Sequence, residues 1–155
     1  MSFQAILRFS MRFPRAALPV ILAIAMCAAQ QPPAVYTPHY HGDPAHSQAE
    51  AVALGYMHTL VYAQKLYLKK HGKYATSLYA LVGSGSFTKR MANPDRGDYT
   101  VSFHGGETKY AVQLTPRTFD AGHRAFWTNQ NGIEHVEVDK PATEDSPVLK
   151  PDSLG

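Results

Sequence analysis

Apolar side chains recur at helical spacing between Ser47 and His71. Ala53, Tyr56, Met57, Leu60, Val61, Ala63, Tyr67 and Leu68 fall on one broad stripe, with His58, Tyr62, Lys65 and Lys69 on the other side. Ser47 and Glu50 have the spacing of a capping box, Lys69, Lys70 and His71 suit the negative end of a helix dipole, and Gly72 suits a C-terminal cap. The pattern predicts one helix running to about Lys70, roughly 35 Å long at about 1.5 Å per residue. Ser77 or Thr76 can cap a short turn carrying Leu78, Leu81 and Val82, and Gly83-Ser84-Gly85-Ser86 reads as a loop. Residues 87–97 are irregular, with turn chemistry at Asn93-Pro94-Asp95 and Gly97.

From Tyr99 onward the period is two. Tyr99, Val101 and Phe103 alternate with polar residues, Gly105-Gly106 turns the chain, and Tyr110, Val112 and Leu114 alternate again until Pro116. A third strand is expected over about Arg124–Thr128 and a fourth over about Ile133–Val138, joined through Asn131-Gly132. The fold class is therefore α+β: one long N-terminal helix packed against a four-stranded antiparallel meander. Neither element can bury its apolar side alone. This globular domain is expected over residues 47–139. It follows a linker at 30–46, which has four prolines and no periodicity, and precedes a flexible acidic tail at 140–155.

Ahead of the linker, Arg8, Arg12 and Arg15 precede an apolar run of 14 residues, Ala16 to Ala29. A membrane-spanning helix needs about 20 such residues. Residues 1–29 therefore read as a secretory signal peptide cleaved after Ala29. Lipidation at Cys27, or retention as an anchor, are the other outcomes, and the membrane is an expected partner only in those cases. The three arginines account for the whole net charge of +3; the remaining chain is balanced, which argues against nucleic acid as a partner. Cys27 is the only cysteine, so cleavage after Ala29 leaves a chain with no disulfide and no thiolate site.

The order of parts carries a resemblance. A long helix ends in Ala63-Gln64-Lys65-Leu66-Tyr67, followed by His71-Gly72-Lys73-Tyr74 and Ser77-Leu78-Tyr79-Ala80-Leu81. Tyr110-Ala111-Val112-Gln113-Leu114-Thr115-Pro116 and Phe126-Trp127-Thr128-Asn129-Gln130-Asn131-Gly132-Ile133 come after it. Over about residues 47–148 this resembles the globular half of type IV pilin-like proteins, especially the major pseudopilins of type II secretion. In that group a helix leads through G-x-Y-x-x-S-L-x-x-L to a small antiparallel sheet. The resemblance implies a pilin-like head that works by protein contact in the bacterial cell envelope, outside the cytoplasm, in the periplasm or medium. The chain departs from the group in lacking the glutamate and the long apolar stretch of the pilin stalk. Asp139, Glu144 and Asp145 do not have the spacing of the pseudopilin calcium loop.

No catalytic motif is present. Gly83-Ser84-Gly85-Ser86 is neither G-x-S-x-G nor a phosphate-binding loop, and the glycines of His104-Gly105-Gly106-Glu107 belong to a hairpin turn. The expectation is a non-enzymatic protein with no catalytic, cofactor or metal site and no cofactor. The nearest approach to a metal site is His39-x-His41 with His46, the basis of an alternative reading as a periplasmic metal- or small-ligand-binding protein. His58 shares a helix face with Tyr62 and Lys65 and has no acidic residue between Glu50 and Asp95 to orient it. Residues 51–94 carry six cations and no acid, whereas 134–155 are mainly acidic, a polarity that can orient a protein partner.

Overall fold

A computed structural model describes residues 36–151; the signal segment, its cleavage site and Cys27 lie outside the described residues. The fold is α+β. One helix, α1 (Gln48–His71), is followed by two short 3-10 turns (Tyr79–Leu81 and Lys89–Ala92). The strands are β1 (Asp95–Arg96), β2 (Tyr99–Gly105), β3 (Tyr110–Pro116), β4 (Ala125–Asn129) and β5 (His135–Glu137). They form one antiparallel meander in the order β1-β2-β3-β4-β5.

This corrects the expected four strands to five. The extra strand, β1, is only two residues long, too short for alternation to reveal. Gly97, at a φ of 72°, supplies the left-handed conformation that lets a two-residue connection pair Arg96 with Tyr99. The helix is also not N-terminal: it begins at Gln48, and residues before it belong to the fold. Asp43 and Ala45 are buried, the Asp43 carboxylate accepts from the Tyr36 hydroxyl and from the His39 and Ala45 amides, and Pro44 lends its carbonyl to Arg124. Proline content alone does not reveal such contacts, so the stretch expected as a linker is packed from Tyr36 on.

α1 is capped as its sequence requires. The Ser47 hydroxyl accepts from the Glu50 amide at 3.1 Å, and Gly72, at a φ of 70°, donates its N–H to the Leu68 carbonyl. The buried stripe of α1 includes Ala53, Tyr56, Met57, Leu60 and Ala63. It joins Tyr99, Val101, Tyr110, Val112, Leu114 and Phe126 in a single core. Burying side chains such as Met57 and Leu60 completely contributes about 1.5–3 kcal/mol each.

The connection after α1 is fastened at two adjacent residues, to the helix through Ala75 and to the β2–β3 turn through Tyr74. Gln64 is buried, and its side-chain amide exchanges two hydrogen bonds with the Ala75 backbone, at 2.9 and 3.1 Å. Tyr74 meets the ring of Tyr110 edge-on, and its amide donates to the Glu107 carbonyl.

Beyond β5, residues 140–149 do not fray. Ala142 and Ser146 are buried, and Gln113 donates to the Ala142 carbonyl at 2.7 Å. The Val136 amide bonds the Pro147 carbonyl, the Leu149 amide bonds the Glu134 carbonyl, and His135 pairs with Val148. This part of the expected flexible tail therefore lies against the sheet. Among the described residues no helix is long and apolar enough to cross a membrane.

Candidate functional site

Three features of the described surface bear on function. The first sits where α1 begins. Glu50 is wholly buried, and its carboxylate accepts from the His46 amide, the Arg124 amide and the Arg124 guanidinium, with Nη2 at 2.7 Å. Arg124 also donates to the Pro44 carbonyl and lies over the Phe126 ring. The capping-box spacing placed Glu50 at the start of the helix. It gave no sign that the carboxylate would turn inward to an arginine contributed from just before β4. With both carboxylate oxygens engaged and Glu50 closed to solvent, the pair fastens the segment before α1 to the sheet.

The second feature is a groove on the flank of the molecule, between the polar side of α1 and the β4–β5 connection. His58, Val61, Tyr62, Lys65, Gly132 and Glu134 line it, with a volume of about 380 Å³. His58 Nε2 lies 2.7 Å from Glu134 Oε1, and the hydrogen bond to that carboxylate raises the histidine pKa above its ordinary 6.5. Local sequence offers His58 no acidic neighbour; folding brings one from beyond β4. Tyr62 is 56% exposed and Val61 beside it is half-buried. Tyr62 also packs close to Gly85, whose φ of 60° seats the glycine-serine loop against the helix. The groove thus pairs an apolar fringe with an ion pair and the Lys65 ammonium.

The third feature is a cleft of about 400 Å³ on the face of the sheet turned away from α1, bordered by His104, Lys109, Trp127 and Glu144.

The candidate metal ligands are not gathered at one point. His39 and His46 line the same open cleft beside the start of α1, and His41 does not. Among the described residues no group of three His, Cys, Asp or Glu side chains is placed to hold a metal ion. Two histidines of the sheet region are engaged locally, while His104 is exposed on β2. His123 bonds Asp120 at 2.8 Å, and His135 bonds the Ser146 carbonyl at 2.6 Å. Asp139, Glu144 and Asp145 lie in the segment after β5, exposed. Comparisons with protein-family models, curated proteins and solved structures found no match.

Proposed function

We propose that the chain is an exported, non-enzymatic protein whose pilin-like head acts by binding another protein in the bacterial cell envelope. The observation that carries this reading is the flank groove, with its exposed Tyr62 and half-buried Val61 beside the His58–Glu134 pair and Lys65. Large apolar side chains grouped with a few charges on an open surface suit a protein partner. The resemblance of residues 47–148 to pseudopilin heads supports the same reading, as do the three arginines and apolar run that precede Gln30.

The test is recovery of the tagged full-length chain from chemically cross-linked envelopes of its native host. A discrete protein adduct, weakened by Tyr62→Ser, is expected. Recovery of the uncross-linked chain alone contradicts the proposal.

A further inference from the structure

We propose that the outward face of the sheet carries a carbohydrate-binding cleft built on Trp127, separate from the flank groove. Strand register makes the cleft. Ala111 lies between His104 on β2 and Asn129 on β4, directly opposite both. A methyl group between the exposed His104 imidazole and the buried Asn129 amide leaves a trough. Trp127, one step along β4 on the same face, closes one end, partly exposed and held edge-on against the His135 ring. Lys109 and Gln130 from the adjoining turns and Glu144 from the segment after β5 complete the rim.

The lining selects the ligand class. Lys109 and Glu144 have opposite charges, so the cleft favours neither a polyanion nor a polycation. An open trough lined by polar and apolar groups alike gives little to a wholly apolar molecule, which gains by enclosure. Asn129 is buried, its amide bonded to the Asn131 N–H and to Glu144, and the Gln130 oxygen accepts from the Tyr110 amide. The exposed His104 imidazole, the Lys109 ammonium, the Gln130 side-chain NH2 and the second Glu144 oxygen are left to offer donors and acceptors to a ring of hydroxyl groups. The indole offers a flat apolar face for the C–H surface of a sugar. Together they suit a short stretch of polysaccharide laid along the trough.

Trp127 is the chain's single tryptophan, so its emission reports directly on the cleft. The experiment titrates the purified protein with cellotetraose and with chitotetraose, following that emission. It is paired with a retention assay on purified peptidoglycan sacculi. A saturable emission change with either oligosaccharide, or retention on sacculi, is expected; chitotetraose alone would identify an amino-sugar polymer and both a glucan backbone. Ala111→Leu, which fills the trough, should weaken binding by about tenfold or more while leaving the circular dichroism spectrum unchanged. His104→Ala, at an exposed position, should weaken it as well and serves if the leucine disturbs folding. No saturable change with either sugar together with no retention on sacculi overturns the proposal, as does binding that both substitutions leave intact.

Discussion

The Glu50 carboxylate gathers an amide from the segment before α1 and both backbone and side chain of Arg124. Removing one partner of such a pair leaves the other buried and uncompensated, at a cost of about 3–5 kcal/mol. Arg124→Met alone should therefore lower the urea midpoint sharply. Glu50→Met with Arg124→Met should recover much of the loss, because no buried charge then remains. Urea unfolding of the two variants checks both directions.

His58 behaves differently because its side chain is largely open to water. Its hydrogen bond to Glu134 raises the folded pKa above 6.5, so its stabilisation is complete below that value and is lost as pH rises through the raised pKa. Wild type should melt above His58→Gln at about pH 5.5, and the difference should vanish by about pH 8.5. Thermal melts of the two proteins across that range decide it. Neither partnership was legible in the chain. Helical spacing placed Glu50 and His58 correctly on α1, but each finds its opposite charge in the second half of the sequence, and local spacing carries no information about that distance.

At the scale of elements, periodicity did well where an element was long and one-sided. α1 emerged with its caps and most of its buried stripe, and β2 and β3 with their alternation, because burial on one face imposes a period that the sequence must keep. Val61, expected in the stripe, instead lies beside His58 and Lys65, and buried Leu54 was not part of the pattern. It failed where contacts rather than period decide. The two residues of β1 are too few to alternate. Gln64, polar but buried, is there for the Ala75 backbone. Residues 36–46 and 140–149 look like connecting chain by composition, yet their backbone and small side chains complete the fold. Gly105 belongs here too. A Cβ at that position would come within 2.7 Å of the Thr76 backbone and 2.6 Å of the Phe103 ring. The strand and the connection after α1 pack through this bare backbone. Gly105→Ala should cost about 1–3 kcal/mol and loosen the 72–78 connection, read as faster amide exchange at Tyr74 and Ala75. An unchanged exchange rate would show that the connection is held independently of the sheet.

For the whole molecule, α1 covers one face of the meander and the segment after β5 partly covers the other. That same segment pairs with the edge of β5, while the opposite edge is the very short β1, so neither edge offers a long template for strand addition. Side-chain surfaces are left to carry recognition, and the flank groove is where exposed Tyr62 and half-buried Val61 meet a charged pair. The candidate residues of that groove come from α1 and from the β4–β5 connection. The sequence put His58, Tyr62 and Lys65 on the helix side opposite the apolar stripe, placed Val61 in that stripe, and could not show any of them as neighbours of Glu134. The direct measurement is site-specific photo-cross-linking in the native host, with the photoreactive residue at Tyr62 in one strain and at Lys140, exposed beyond β5, in another. The account predicts a discrete protein adduct from position 62 that position 140 does not give. Equal labelling from both positions, or none from position 62, would contradict it.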